Sequence, residues 1–495
     1  MKSPFDKKTG SEILKSPLII GLIICISLPI GFFIAKGGIM NATLLIALPL
    51  LYGFLYWLFK KPSNGLYVFI ALSFTAIGLT RYIKGIPLGL SIDGILVITF
   101  LALFFKNFFT KLDWKPIQNT LFYISLIWFI YNVLELVNPE ARSSAAWFYA
   151  MRGVALYFVL SVLITLMLLR DVKHLNKFLY LWGAFSILVS IKGAMQLIVG
   201  VDPWEQAWLN AGAAETHILF GKLRVFSFLS DAGTFGAQQG HAAVVGIIVG
   251  LNSKTKKDKI FFLTMGLLGL YGLAISGTRG AIAVPVGGAM IYFIMKKNIK
   301  ILILGAILGI SVFVFFKYTT IANGNYQINR MRSAFDPNDP SLQVRLENQR
   351  KLKIYMKSRP FGGGIGSSGN WGLRFSPGTF LAETPTDSWY VKIWVEQGII
   401  GLVFHIFYLL FILGYGCYII WTKVTEPEIA AKLTALAGGI WGIMLCSYGN
   451  AVFGQLPTGP LIYVSMAMLY MGELYNKQAI ERKLKVKNEN IEIEN

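Results

Sequence analysis

The chain has 495 residues, 55% of them hydrophobic and only 14% charged, with a formal net charge of +21. A soluble protein carries roughly a quarter charged residues, and apolar blocks of about twenty residues recur here, so a soluble globular protein is excluded. The charge excess is the one that membrane topology asks of cytoplasmic loops, and no nucleic-acid partner is expected.

The N-terminal "MKSPFDKKTGSEILKSP" precedes an apolar block from about Leu18 to Ala35, too long for a signal-peptide core and read as a retained first span. The pattern predicts fourteen spans, centred near residues 26, 50, 73, 97, 128, 160, 188, 242, 267, 288, 309, 404, 438 and 465. With the N-terminus in the cytoplasm, "FKKPSN", "FKNFFTKLDWK", "RDVKHLNK", "NSKTKKDK", "MKKNIK" and the tail "ERKLKVKNEN" all fall on the cytoplasmic side. These segments are short and basic, whereas opposite loops such as "KGGIMN" and "AISGTRG" are nearly bare of charge. One orientation therefore satisfies the positive-inside rule.

Two longer segments fall outside. The first runs from about Val201 to Thr234. The second runs from about Tyr318 to Asp387 and holds nine Lys and Arg against five acids. Long loops escape the positive-inside rule, so this charge points to an anion outside or to lipid headgroups. Within it, "SLQVRLENQRKLKIYMKSRP" reads as an amphipathic helix ending before Pro360, with Leu342, Val344, Leu346, Leu352, Ile354, Tyr355 and Met356 as its apolar residues. "PFGGGIGSSGNWG" follows and reads either as a backbone nest for an anion or as a flexible hinge. A further amphipathic helix, "EARSSAAWFYAMRG", lies before the sixth span, its Trp147, Phe148 and Tyr149 suited to the membrane interface.

Arginines mark the outer boundary. Arg224 leads into the eighth span, and Arg279 occupies the tight turn "AISGTRGAIAV" between the ninth and tenth. Two guanidinium groups there can clamp a diphosphate through forked, charge-assisted bonds, or can snorkel to headgroups. Arg152 is a third candidate. His174 is expected in solvent, His405 as a hydrogen-bonded core residue, and His217 and His241 flank the Arg224 region. Cys25, Cys417 and Cys446 all lie in apolar blocks. No spacing suits a metal, a nucleotide or a serine nucleophile, so neither metal nor cofactor is expected.

Four motifs in order, "RVFSFLSDAGTF", "SGTRGA", Arg345 fifteen residues before "PFGGGIG", and "TDSWYVKIWVEQGIIGL", resemble the O-antigen ligase and polysaccharide polymerase family of bacterial membrane glycosyltransferases over roughly residues 220 to 415. The resemblance implies an undecaprenyl-diphosphate-linked glycan as donor. It implies a glycan or lipid A core as acceptor, with membrane lipids and other polysaccharide assembly proteins as partners. It implies inverting transfer without a metal, at the outer face of the bacterial cytoplasmic membrane. The family's clamp arginines map onto Arg224 and Arg279, and its loop arginine onto Arg345.

The expected fold is all-α: a polytopic membrane protein of about 12–14 transmembrane helices, GT-C-like, with one large external loop containing helices. Residues 1–317 and 388–475 would carry the membrane helices, 318–387 the loop and 476–495 a cytoplasmic tail.

The sequence departs from the ligase pattern at one place. Ligases carry His-Asn nine residues before a Glu, and counting back from Glu396 puts Asp387 and Ser388 there. A carboxylate is a weaker resting base than imidazole, with reference pKa values of about 4 and about 6.5, yet Asp or Glu commonly serves inverting glycosyl chemistry. Asp387 is thus the candidate base, with a helix N-cap as its alternative role, and the departure tilts the reading toward polymerase. Glu396, nine residues into the span, is expected to make a structural salt bridge. A non-enzymatic transporter or flippase of the same lipid-linked glycan is the competing reading.

Overall fold

A computed structural model describes residues 17–494, except 84, 86, 87, 220, 322, 323 and 325. Residues 1–16, expected on the cytoplasmic side, lie outside the described residues. Contacts divide the chain into one unit ending at Lys61 and a second beginning at Pro62.

The first unit is a single helical run, α1 (Pro17–Lys60), broken at Gly38 by a left-handed φ of 57°. The break separates the two halves that carry the first two predicted span centres.

In the second unit, α2 (Ser63–Leu79), α3 (Leu88–Thr110) and α4 (Thr120–Leu134) come first. Next, α5 (Ser144–Met151) runs through a widened turn at Arg152–Leu156 into α6 (Tyr157–Leu168). After α7 (Val172–Ile198) come the short α8 (Pro203–Trp208) and a two-stranded hairpin, β1 (Ile218–Leu219) with β2 (Lys222–Leu223). Four helices follow, α9 (Ala232–Asn252), α10 (Lys256–Ile275), α11 (Ala283–Met295) and α12 (Ile299–Tyr318). The large loop holds α13 (Tyr326–Arg332), α14 (Pro340–Tyr355), α15 (Gly369–Phe375) and α16 (Phe380–Glu383). The chain returns through α17 (Trp389–Lys423), α18 (Pro427–Cys446), α19 (Thr458–Tyr470) and α20 (Gly472–Glu494).

All fourteen predicted centres fall inside helices. Among the described residues, eight helices are long and apolar enough to cross a membrane, by length and composition. Five more segments are apolar but only 10–17 residues long. The remaining one, α9, has 21 residues but buries Gln238, Gln239 and His241, which dilute its apolar character. The chain is an all-α, multi-pass membrane protein.

Small residues bring the helices around the site into backbone contact. A side chain at Gly246 of α9 would meet the backbone of Gly266 on α10 at 2.6 Å, and one at Gly442 of α18 would meet Val284 on α11 at 2.4 Å. Close approach of this kind is how helices associate where lipid supplies no hydrophobic drive. The α10–α11 turn bearing Arg279 is thereby held between α9 and α18. At the opposite ends, α20 ties the loops together: Arg482 reaches Asp171 at 2.6 Å and Lys483 pairs with Glu426.

Candidate active site

The large loop is anchored to α17 rather than free. Leu352 of α14 and Met356 of the turn after it pack with Leu381 and Val395 in a small cluster of their own. Of the apolar residues assigned to this helix, Leu342, Val344 and Ile354 stay exposed. Behind α14, residues 362–368 of the glycine run are buried. The run is neither a hinge nor an open nest. It lies on a break in α17, where Gly398 has φ 68° and ψ −171°. The Gly363 N–H donates to the Val395 carbonyl at 2.8 Å, and a side chain at Gly398 would collide with the Pro360 carbonyl at 1.8 Å.

Glu396 sits at this break, fully buried. Among the described residues it forms no salt bridge, contrary to the expectation. Instead, among the described residues, its Oε1 accepts from the Ser368 hydroxyl at 2.7 Å, while Oε2 has no hydrogen-bond partner. A cation would require a long side chain to reach into this packed glycine loop; a serine needs only its hydroxyl.

Asp387 lies in a tight turn in which the Ser388 N–H donates to the Thr386 carbonyl at 2.5 Å. Its φ is +51°, a region that Asp tolerates but that costs conformational energy, and such outliers concentrate at functional sites. Asp387 is not the helix cap. Ser388 is, its Oγ accepting from the Val391 N–H. Ser388 Oγ also donates to the Ser447 carbonyl at 3.2 Å, as does the Trp389 N–H at 3.0 Å, so the start of α17 is fixed against the end of α18. The Asp387 carboxylate lies 3.6 Å from Arg345 Nε, with both side chains more than a third exposed. Such a pair is worth about 0–1 kcal/mol, so the carboxylate is oriented but still accessible.

Arg279 and Arg224 meet at the neighbouring turn. Arg279 Nη1 pairs with Asp339 at 2.5 Å and donates to Ser333 Oγ at 3.0 Å. Asp339 also caps α14 through the Leu342 N–H. Burial raises the Asp339 pKa, but the Arg279 hydrogen bond and the helix-start N–H groups outweigh it and hold the carboxyl below its usual value. Arg224 donates to the Thr216 carbonyl at 3.3 Å and to Thr278 Oγ1 at 3.4 Å, beside Arg279. Asn450, from the α18–α19 loop, lies against Gly280. The helix α14 links the two parts, since Asp339 and Arg345 are six residues apart, about 9 Å along the axis.

Arg152 stands apart from these contacts. It pairs with Asp93 of α3 and lies 4.9 Å over the Tyr149 ring. Tyr149 in turn stacks on Trp371 and Phe375 of the large loop. Trp147 is half-buried and donates to the Asn132 carbonyl at 2.8 Å. Among the histidines, His405 accepts from Trp389 Nε1 at 2.9 Å, as expected of a core residue. His174 is not simply solvated, for it bonds the Tyr67 hydroxyl at 2.6 Å.

Sequence reasoning missed Arg81. It is 5% exposed, donates to the carbonyls of Ser227 and Leu229, and lies 4.3 Å over Trp208. Burial pushes its pKa down to about 10, against nearby Glu205, Tyr82, Asp231 and Asp202. It pins the strand of chain that leads from Arg224 into α9. An arginine in the short loop between two apolar spans, with Lys84 three residues on, was the available signal.

Two apolar grooves meet the site. One, of about 530 Å³, runs between α17 and α18 from Gln349 and Ser388 past Trp394 to Leu410 and Trp441. The other, of about 840 Å³, lies between α10, α11 and α12 from Ile282 and Met331 to Phe293 and Leu302. The first opens beside Asp387, the second beneath Arg279.

Fold and site together define a multi-pass membrane protein with a polar, arginine-rich site at one face and apolar grooves below it. Residues 264–406 match a family model described as O-Antigen ligase. Over 199 residues the chain is 27% identical to an O-antigen polymerase of Salmonella muenchen, covering 38% of this chain and 46% of that relative. The matched stretch thus spans under half the relative's length. The region carrying Arg279, Arg345 and Asp387 is thus similar to the O-antigen ligase family model.

Proposed function

We propose that the chain is a membrane glycosyltransferase that polymerises undecaprenyl-diphosphate-linked oligosaccharide outside the cytoplasmic membrane, or ligates it to another acceptor. The observation that carries this reading is Asp387, held in a left-handed turn beside Arg345 at the mouth of an apolar groove. A carboxylate there can accept the proton of an acceptor hydroxyl as that oxygen attacks the anomeric carbon. The bond from that carbon to the diphosphate breaks, and the electron pair leaves on the phosphate oxygen. Attack from the face opposite the leaving group inverts the centre. Arg279 and Arg224 neutralise the departing diphosphate, a charge that develops only as the bond breaks. No step calls for a metal. Arg345 orients the carboxylate and the sugar near it, and Arg152 holds α5 against the loop.

Polymerisation is favoured over ligation by Asp387 and Ser388 standing where the ligase pattern has His-Asn; the two grooves suit two lipid-linked substrates, which either reaction has. The relative's name points the same way. The flippase reading would need polar groups lining a path through the spans. The buried Gln238, Gln239 and His241 pack instead against Ser186, Ser190 and Trp182 and line neither groove. Arg279→Ala should abolish long-chain polysaccharide while single lipid-linked units still appear on the outer face. Units trapped on the inner face would support the flippase instead.

A further inference from the structure

At the end of α17 opposite to Asp387 lies a second site of different chemistry. Lys423 in the last turn of α17, Arg170 after α6 and Lys115 before α4 surround a cavity of about 490 Å³. All three are exposed. Ion pairs of this face engage Glu426 with Lys254 and Lys483, Glu428 with Lys432 and Asp171 with Arg482, while Asp113 accepts from the Lys115 N–H at 3.0 Å and does not line the cavity. Glu473, which lines the cavity, is paired with Lys477 at 2.8 Å. Among the described residues, Lys115, Arg170 and Lys423 form no ion pair within 4 Å, so the rim keeps an excess of positive charge.

The interior differs from the rim. Leu166 and Ile419 give it an apolar floor, and Tyr415 and Tyr470 form a wall with ring centroids 5.2 Å apart. The Tyr470 hydroxyl is buried and has no hydrogen-bond partner among the described residues. Buried hydroxyls are normally paired, and an acceptor entering the cavity would satisfy this one. A free phosphate would use the cations but not the floor, whereas an amphiphile with an anionic head uses both. The rim stands at the helix ends, in the basic loops assigned to the cytoplasmic side, where the leaflet is anionic.

We propose that this cavity binds the headgroup of an anionic phospholipid. Lys115, Arg170 and Lys423 surround the phosphate, the Tyr470 hydroxyl donates to it, and the apolar floor takes the start of an acyl chain.

The test uses full-length protein in neutral detergent, titrated with phosphatidylglycerol, phosphatidylcholine or inorganic phosphate. Retained lipid is counted by native mass spectrometry and the thermal midpoint is followed. Phosphatidylglycerol should bind and raise the midpoint, and K115Q/R170Q/K423Q should weaken that binding by about five-fold for each charge removed. K256Q/K257Q/K259Q, which removes three cations from the same face outside the cavity, should bind like the wild type. Should the first triple variant not fold, Lys423→Gln and Tyr470→Phe singly should each reduce retained phosphatidylglycerol. Equal binding of phosphatidylcholine, equal loss in the control triple variant, or an equal midpoint rise with inorganic phosphate alone would each overturn the proposal.

Discussion

In the structure, Asp339 occupies the guanidinium that the proposed function assigns to a diphosphate. The Arg279 and Asp339 side chains are 17% and 12% exposed and lie 2.5 Å apart. Replacing Asp339 by Ala removes a charge-assisted bond worth about 1.5–3 kcal/mol and an N-cap worth about 1 kcal/mol. The expected cost is thus roughly 2.5–4 kcal/mol, seen as a lower thermal midpoint. Asp339→Asn keeps a cap of equal quality and a neutral acceptor for Arg279, and should cost about 1–2 kcal/mol. By weakening the internal competitor by about 1.4 kcal/mol, it should tighten donor binding about tenfold. Donor titration of both variants by calorimetry, beside Arg279→Ala as the non-binding reference, measures this. The pair's own pH dependence is a second readout. Because the folded pKa of Asp339 lies below its unfolded value, its stability is present above about pH 4 and is lost as pH falls through the folded value. Asp339→Asn should lack that component. Unchanged or weaker donor binding in Asp339→Asn, with the midpoint lowered, would refute the idea that Asp339 and the diphosphate share Arg279.

Gly398→Ala should cost well over 2 kcal/mol, since it adds left-handed strain to a collision with the Pro360 carbonyl; faster proteolysis within residues 361–387 of the folded protein would report it. His217 should give the 202–223 segment a pH dependence. Burial, ahead of the nearby Arg224 and Arg81 charges and against the Ala213 carbonyl and Asp231, lowers its pKa. The neutral form is therefore favoured on folding, and stability is full above about pH 6.5 and falls as pH drops through the folded value. Hydrogen-exchange protection at the hairpin, corrected for the intrinsic rate, should fall on acidification in the wild type and not in His217→Gln.

Much of the fold was legible because membranes impose a simple rule: apolar length makes spans, and Lys and Arg sort the loops. The helix α14 was legible too, from periodicity and Pro360. What failed depended on contacts between distant segments. Asp387 and Ser388 are both good capping residues, and only the Ser447 carbonyl, 59 residues from Ser388, decides that Ser388 caps. The glycine run was read from its own composition, as an anion nest or a hinge, but its conformation answers to the break at Gly398. Glu396 was given a cation because a buried carboxylate usually has one, and Ser368 took that place. Arg224 and Arg279 were found from charge in unexpected places, and Arg345 from the family resemblance. The same signal at Arg81 was passed over, because its loop is short and its carbonyl partners lie 146 and 148 residues away.

The central claim is that Asp387 takes the acceptor proton. Asn suits a left-handed turn as Asp does, so Asp387→Asn removes the base and keeps the geometry. Purified wild-type and Asp387→Asn protein would be given undecaprenyl-diphosphate-linked repeat units and the products sized. The account predicts that the variant binds donor normally, stays folded and forms chains at least a hundred-fold more slowly. Wild-type chain lengths and rates from Asp387→Asn would contradict it.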